Sequence, residues 1–250
     1  MKLKVLGSSS NGNCYLLEGE KTGLILEAGI PFKSILKSVG NAFGKYCGVL
    51  VSHAHLDHSK SVKDFIHHGV SVYSENQTFK LLNVSNILAK PVKHGSLYNI
   101  GDFSVIPFQL KHDIDCLGYL IKHEEMGVLM FATDTYYIPN KFSGLNHILI
   151  EANYDTEILN QNLKNNVIKN FVRKRIIASH MSLDSTVEFL KSNDLSKTKS
   201  IVLLHLSDKN SDSQMFKKRV ASETGIPTHI AEKGLELNLI KSWEKIMATN

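Results

Sequence analysis

Short apolar runs separated by turn residues dominate the part of the chain before Glu151. Runs of about four to eight residues bounded by glycine, serine and asparagine are typical of buried strands, whereas the apolar residues that follow Pro31 recur at helical spacing. A second helix is predicted at Ser61–His68. The predicted strands of this part are Lys2–Gly7, Cys14–Glu18, Leu24–Ala28, Gly48–Ser52, Val70–Tyr73, Phe103–Leu110, Leu117–Lys122, Val128–Ala132 and His147–Ile150.

Helices and strands alternate after Glu151. Two successive sets of strands with accompanying helices indicate an α/β protein, in which helices cover two packed sheets in a four-layer αβ/βα sandwich. No internal repeat or linker rich in Pro, Gly or Ser divides the sequence, so we expect a single domain over residues 1–250. The elements predicted after Glu151 are helices at Thr156–Asn170 and Leu183–Lys191 and strands at Ile176–Ala178, Ile201–His205, Thr228–Ala231 and Leu235–Ile240.

Composition places the chain among globular proteins. Hydrophobic residues make up 42% and charged residues 21% of its 250 residues, values typical of a domain with a buried core. No apolar run approaches the roughly 18 residues that a membrane span needs, and the first residues run into a strand pattern without a signal-peptide core. The three cysteines (Cys14, Cys47 and Cys116) are too scattered for a disulfide framework, so we expect a cytoplasmic protein with no membrane partner.

The net charge of +5 permits a polyanionic partner without demanding one. The basic clusters Arg173–Arg175 and Lys217–Arg219 are short and far apart, so we interpret them as solvated helix faces rather than as a nucleic-acid patch. Trp243 is interpreted as an anchor of the core or of the C-terminal tail. The unusual component is histidine, the commonest metal ligand among side chains, which occurs 12 times.

The strongest chemical signal is the segment His53-Ala54-His55-Leu56-Asp57-His58, which directly follows a predicted strand. Two imidazoles one residue apart at a strand end can reach the same metal ion. The neighbouring carboxylate and the third imidazole can serve a second ion beside the first. A run of solvated polar residues would produce this spacing only by chance, so the segment predicts a metal site.

This segment resembles the HxHxDH signature of the metallo-β-lactamase fold superfamily, and the resemblance extends over nearly the whole chain. His112, Asp134 and His205 each follow an apolar strand run, as the remaining ligands do in that superfamily. The resemblance implies two divalent metal ions, and ligands without sulfur suit zinc or, alternatively, manganese. Two ions about 3.5–4 Å apart can share a hydroxide nucleophile and neutralise charge on a phosphoryl group. In the implied ligand set, one ion is held by His53, His55 and His112, the other by Asp57, His58 and His205, and Asp134 bridges them.

Two further residues resemble elements of the RNase Z-like phosphodiesterase branch. Glu151 follows the predicted strand His147–Ile150, and His180 lies just before a predicted helix. In that branch the histidine protonates the leaving oxygen and the glutamate orients the histidine, which meets the need of a departing alkoxide for a proton. The resemblance therefore implies three catalytic residues, namely His180, Glu151 and the metal ligand Asp57.

The N-terminal segment Leu6–Cys14 is similar to the glycine, serine and asparagine loop of the YycJ group within this branch. One departure from the family pattern is Glu27, because the family usually carries aspartate at this position. The resemblance implies that this carboxylate supports the loop of the metal signature, and the extra methylene is expected to shift that loop slightly.

The spacing of the implied ligands limits the range of possible substrates. The 22 residues from His112 to Asp134 cannot hold the tRNA-gripping arm of RNase Z maturases, and the 71 residues from Asp134 to His205 cannot hold the extra domain of β-CASP nucleases. Two interpretations remain. One is a phosphodiesterase that opens a cyclic mononucleotide, similar to the phage anti-Pycsar enzymes, and the other is a YycJ-like exonuclease that acts on DNA or RNA ends.

We favour the cyclic mononucleotide, because neutralising a nucleic-acid backbone calls for a continuous basic track and the basic clusters are scattered. A non-catalytic metal-binding module is the weaker alternative, because none of the implied ligands is missing from the sequence. The resemblance also suggests a homodimer.

Overall fold

We describe residues 1–240 of the protein from a computed structural model. The predicted role of Trp243 lies outside the described residues. The strands are β1 (Lys2–Gly7), β2 (Cys14–Glu18), β3 (Gly23–Leu26), β4 (Tyr46–Leu50), β5 (Val72–Ser74), β6 (Ala89–Pro91), β7 (Tyr98–Ile100), β8 (Phe103–Leu110), β9 (Cys116–His123), β10 (Gly127–Ala132), β11 (His147–Glu151), β12 (Ser200–Leu204), β13 (Thr228–Ile230) and β14 (Glu236–Asn238). The α-helices are α1 (Phe32–Val39), α2 (Leu56–Ser59), α3 (Val62–His67), α4 (Asn76–Leu81), α5 (Thr156–Lys164), α6 (Asn170–Ser179), α7 (Leu183–Lys191) and α8 (Ser213–Thr224), and a 3₁₀ helix spans Gly40–Lys45.

The strands form two mixed sheets of seven strands each. The first sheet has the order β14-β1-β2-β3-β4-β5-β6, and the second has the order β13-β12-β11-β10-β9-β8-β7. In the first sheet the neighbours from β14 to β3 are antiparallel and those from β3 to β6 are parallel. In the second sheet the neighbours from β7 to β10 are antiparallel and those from β10 to β13 are parallel.

Three apolar clusters hold these layers together. The inner cluster joins the facing sides of the two sheets and includes Leu17 and Leu26 from the first sheet and Tyr119 and Phe131 from the second. One outer cluster packs α1 and α3 on the first sheet, and the other packs α7 and α8 on the second. Helices therefore cover both outer faces of a two-sheet sandwich, which confirms the predicted four-layer αβ/βα architecture.

The predicted strand at Ile176–Ala178 is wrong, because these residues lie in α6. The helix predicted over Thr156–Asn170 ends at Lys164, and α6 begins a few residues later at Asn170. A short apolar run does not distinguish a strand from a helix by periodicity, and here Ile177 is 39% exposed rather than buried in a sheet. The longest described helix, α8, has 12 residues, and no described helix is long and apolar enough to cross a membrane.

One edge of the sandwich collects the ends of parallel strands from both sheets. The strands β3 and β4 end there in the first sheet, and β8, β10, β11 and β12 end there in the second. Three residues at this edge have left-handed backbone angles, with φ of 65° at Glu27, 47° at Asp134 and 54° at His205. Such angles are uncommon for residues other than glycine and tend to cluster at functional sites, so they point to this edge.

Candidate active site

The loop that follows β4 carries the HxHxDH segment and is fixed by the N-terminal loop. The segment runs into α2, whose N-cap is His55, and the His58 amide donates to the His55 carbonyl oxygen over 2.9 Å. The Asn13 amide donates to the Asp57 carbonyl oxygen over 2.8 Å, and the Asn13 carbonyl accepts from the amide of Gly29 over 2.9 Å. A side chain at Gly29 would collide with the Asp57 carbonyl, so only glycine allows this close approach.

Three histidines form the first cluster of candidate ligands. His53 Nε2 lies 3.0 Å from His55 Nδ1, and His112 Nε2 lies 3.3 Å from the same His55 atom. In His112 and His53 the other ring nitrogen, Nδ1, has a partner outside the cluster. His112 Nδ1 donates to the Ser179 carbonyl over 2.9 Å, and His53 Nδ1 lies 2.8 Å from Ser52 Oγ. Burial lowers the pKa of His53 well below its usual value, which keeps the imidazole neutral and leaves a lone pair for a cation.

The second cluster combines two carboxylates and two histidines, Asp57, His58, Asp134 and His205. His58 Nε2 lies 3.3 Å from Asp57 Oδ2 and 3.3 Å from Asp134 Oδ1, and His205 Nδ1 lies 3.4 Å from the same oxygen of Asp134. His205 Nε2 is buried and has no hydrogen-bond partner among residues 1–240. Asp134 groups with this cluster rather than with the three histidines of the first, so its bridging role remains a prediction.

The donor atoms of both clusters fit divalent metal ions. Nitrogen and carboxylate oxygen are the ligands of zinc and related ions, and each cluster offers at least three of them within 4.8 Å of one another. In the described part of the chain, no lysine or arginine forms an ion pair with Asp57 or Asp134. Although burial opposes the shift, the charge of Asp134 and hydrogen bonds to Asp57 and Glu151 raise the pKa of His205 to about 10, which reflects the negative charge of the carboxylates around it.

A hydrogen-bonded pair, His180 and Glu151, lies beside the second cluster. His180 Nδ1 donates to Glu151 Oε1 over 2.6 Å, and Glu151 Oε2 accepts from the amides of Thr135 over 2.9 Å and Met181 over 3.2 Å. Burial alone would lower the pKa of His180 and raise the pKa of Glu151. The charge of Glu151 nevertheless raises the pKa of His180, and the charge of His180 lowers the pKa of Glu151. The pair is therefore arranged as an imidazolium held by a buried carboxylate, with His205 Nδ1 only 3.3 Å from Glu151 Oε1.

The structure brings together all of the residues that the sequence predicted as ligands and catalytic groups. A cavity of about 410 Å³ at the strand edge is lined by His55, Asp57, His112, Asp134, His180 and His205. His53 and His58 lie beneath it and are fully buried, as is Glu151. The assignment of metal-binding and catalytic roles to these residues remains a prediction.

The sequence analysis assigned no individual role to several residues that lie at the same cavity. Ser10 and Arg175 line it, Asp113 Oδ1 lies 2.9 Å from His112 Nε2, and Ser8 Oγ accepts from the amide of His205 over 3.0 Å. The serines belong to the N-terminal loop that the family resemblance singled out, so that loop was the available signal. Arg175 belongs to a basic cluster interpreted as a solvated helix face, and only the tertiary structure brings it to the site.

Glu27 faces the Nδ1 side of the His58 ring. Its side chain is fully buried, Oε2 lies 3.5 Å from His58 Nδ1, and Oε1 accepts from the amide of Ser52 over 3.2 Å. Carboxylates that contact the outer nitrogen of a histidine ligand fix the orientation of its ring and raise its basicity. Glutamate thus reaches His58 at a position where the family usually has aspartate.

We expect Glu27→Gln to weaken metal binding about 10–100-fold, because the amide keeps the shape of the side chain but removes the charge that faces His58. Competition with a chelating indicator would measure this affinity. Glu236→Gln is the matched control, since it removes the same charge from an exposed side chain on β14. Unchanged affinity in Glu27→Gln would contradict the supporting role.

Two mixed sheets enclosed by helices, with a histidine and carboxylate centre at the edge where parallel strands end, define a metallo-hydrolase of the metallo-β-lactamase fold. The family described as "Beta-lactamase superfamily domain" matches residues 36–206, which is more than half of the chain. The chain belongs to this superfamily, and it is a metal-dependent hydrolase.

Curated relatives match along most of their length. The chain is 28% identical over 233 residues to "Exodeoxyribonuclease WalJ" of Streptococcus pneumoniae, a match that covers 86% of this chain and 84% of the relative. It is 25% identical over 236 residues to "Exodeoxyribonuclease YycJ" of Bacillus anthracis, with 88% of each protein covered. Among solved structures, the metallo-beta-lactamase fold protein YhfI from Bacillus subtilis aligns with a TM-score of 0.73 at 15% identity, covering 94% of this chain and 98% of that one.

Proposed function

We propose that this protein is a phosphodiesterase that removes nucleotides from the ends of DNA. The observation that carries the proposal is the His180–Glu151 pair, which places a proton donor beside the candidate metal ligands. An alkoxide that leaves from phosphorus needs such a proton, whereas a substrate with a good leaving group can be hydrolysed without one. The choice of DNA is supported by the relatives, which are named exodeoxyribonucleases and match over most of this chain.

Two divalent ions, for which we propose zinc with manganese as the alternative, would lower the pKa of water and neutralise charge on the phosphoryl group. Around them, His180 would give its Nε2 proton to the leaving oxygen, because Nδ1 is occupied by Glu151. Glu151 would hold the imidazolium in place, since its other oxygen is fixed by two backbone amides. The proposed metal ligands are His53, His55, Asp57, His58, His112, Asp134 and His205.

A cyclic mononucleotide is the second candidate substrate. The cavity at the strand edge holds about 410 Å³, a size suited to one small ligand, and a cyclic phosphodiester presents a single phosphate. The relatives named exodeoxyribonucleases favour DNA ends over the cyclic mononucleotide that the scattered basic clusters had favoured. The single-domain organisation over residues 1–250, the homodimer and the cytoplasmic location also stay predictions.

The test compares kcat/KM for single- and double-stranded DNA ends with kcat/KM for 3′,5′-cyclic nucleotides, at two salt concentrations. We expect DNA trimming to be faster and to fall with salt, because each phosphate contacted adds a slope of about −0.7 to −0.9 in log affinity against log salt. Rapid opening of cyclic nucleotides with little salt dependence, together with inert DNA, would overturn the choice of DNA and establish the second candidate.

A further inference from the structure

A second cavity adjoins the candidate active site, and we call it the α6 cavity. Its volume is about 540 Å³, which is within the range of sites that bind one small ligand. It shares Ser10, Arg175, His180 and His205 with the cavity that contains the candidate metal ligands. The α6 cavity therefore opens on the side of the site where His180 lies, away from the three-histidine cluster.

One wall of the α6 cavity is aliphatic and incompletely covered. Val167 and Ile168 come from the segment before α6, and Val172 and Ile176 follow on the helix itself. Val167 is 50% exposed, and Val172 and Ile176 are half-buried. Such a wall offers apolar surface to the face of a flat ring, since burial of that surface stabilises a complex.

A polar wall of the cavity, formed by residues 207–210, is already fixed by hydrogen bonds. Asn210 Nδ2 donates to Ser207 Oγ over 3.1 Å, and Asn162 of α5 donates to Asn210 Oδ1 over 2.9 Å and to the Lys209 carbonyl over 2.8 Å. Because these groups satisfy one another, the wall is formed before any ligand arrives. A preformed site loses less conformational entropy on binding.

The charges at the α6 cavity favour an anionic ligand. Lys169, Lys209 and Arg175 contribute three cationic side chains to the lining, against the single carboxylate of Asp208. Arg175 lines both cavities, and a guanidinium is well suited to contact a phosphate that bridges them. A ligand with a flat apolar face and a phosphate at one end matches this combination.

We propose that the α6 cavity is the subsite for the nucleoside that carries the leaving oxygen, with the base against the aliphatic wall and Arg175 on the phosphate. The inference rests on the proposed function, because it assumes that a nucleotide phosphate occupies the strand edge. The α6 cavity would hold the terminal nucleoside of a DNA strand or, equally, the nucleoside of a cyclic mononucleotide.

The experiment measures the affinity of the metal-loaded full chain for deoxyadenosine 3′-monophosphate, whose phosphate is on the oxygen that would leave, and for inorganic phosphate by isothermal titration calorimetry. We expect the wild type to bind the nucleotide at least about 10-fold more tightly than phosphate, because the nucleoside adds the contacts in the α6 cavity. Ile176→Trp fills the cavity and should remove this advantage. Ile177→Trp is the matched control, since Ile177 is the next residue of α6 and does not line the cavity, and it should keep the advantage.

Val167→Glu gives a second variant that does not depend on packing, because Val167 is exposed and a carboxylate there would repel the anion. A wild type that binds both ligands equally, or Ile176→Trp and Val167→Glu variants that keep the full advantage, would overturn the subsite. Nucleotide binding that responds to these variants in a protein inert toward all nucleotides would support the subsite and contradict the proposed function. If Ile176→Trp lowers kcat/KM for DNA ends, the cavity holds the nucleoside of a DNA end. If the variant lowers kcat/KM for cyclic nucleotides, the cavity holds the nucleoside of a cyclic mononucleotide.

Discussion

Asp134→Ala is expected to reduce bound metal from two ions per chain to one or none and to lower kcat about 10³-fold or more. Asp134 Oδ1 lies 3.3 Å from His58 Nε2 and 3.4 Å from His205 Nδ1, so its loss removes the carboxylate that faces two other candidate ligands. Stabilisation of phosphoryl charge by bound ions contributes several kcal/mol, and each 1.36 kcal/mol corresponds to about a tenfold change in rate. Elemental analysis of protein purified without chelator, together with turnover, measures both effects.

Asp102→Ala is the control for this variant, because it removes an exposed carboxylate whose hydrogen bond with Thr22 is far from the strand edge. Its metal content and activity should match those of the wild type. A wild type that binds no ion or one ion even after zinc or manganese is added would refute the two-ion assignment. Retention of two ions by Asp134→Ala would refute the ligand role of this residue.

His180→Ala should keep the metal content of the wild type and lose roughly 10²–10⁴-fold in kcat on substrates with a poor leaving group. The imidazole is not one of the seven proposed metal ligands, and its Nδ1 bond to Glu151 leaves Nε2 as the nitrogen that can donate to the leaving oxygen. An aryl phosphodiester should suffer much less, because a phenolate leaves without a proton. The measurement is kcat for an alkyl and an aryl diester, with the metal content determined on the same samples.

Glu151→Gln should follow the same dependence on the leaving group with a smaller loss, since Glu151 orients the acid without donating the proton. His67→Ala, which removes an exposed histidine at the end of α3, should leave kcat unchanged on both substrates. Equal losses on alkyl and aryl diesters in His180→Ala would contradict its role as the general acid.

The sequence predicts the two sheets and the clustering of the site residues because strand ends and ligand spacing are local signals. Each strand that ends in His, Asp or Glu could be recognised from its own apolar run, and parallel strands necessarily bring those ends to one edge. The course of the chain around α6 could not be predicted in the same way. The run Ile176–Ala178 fits a strand locally, and only packing beside the site shows that it continues a helix.

Tertiary contacts also decide which polar residues serve the site. Arg175 is one of three consecutive basic residues, and nothing in the sequence distinguishes it from Arg173, which instead donates to Asn160 Oδ1 over 2.9 Å. The role of Glu27 was expected from the family pattern, but its reach to His58 depends on a left-handed backbone that a sequence does not reveal. Residues that act through long-range contacts are therefore the ones that the sequence left undetermined.

The distribution of the candidate ligands over the two sheets links metal content to thermal stability. His53 and His55 follow a strand of the first sheet and His112 follows a strand of the second, while Asp57 and His58 face Asp134 and His205 in the same way. Each ion would cross-link the halves of the sandwich at its rim, where the inner apolar cluster ends. Binding to the folded state alone adds about 2.7 kcal/mol at a ligand concentration of 100 Kd, so a chelator should lower the melting temperature and open this rim before the remainder of the core.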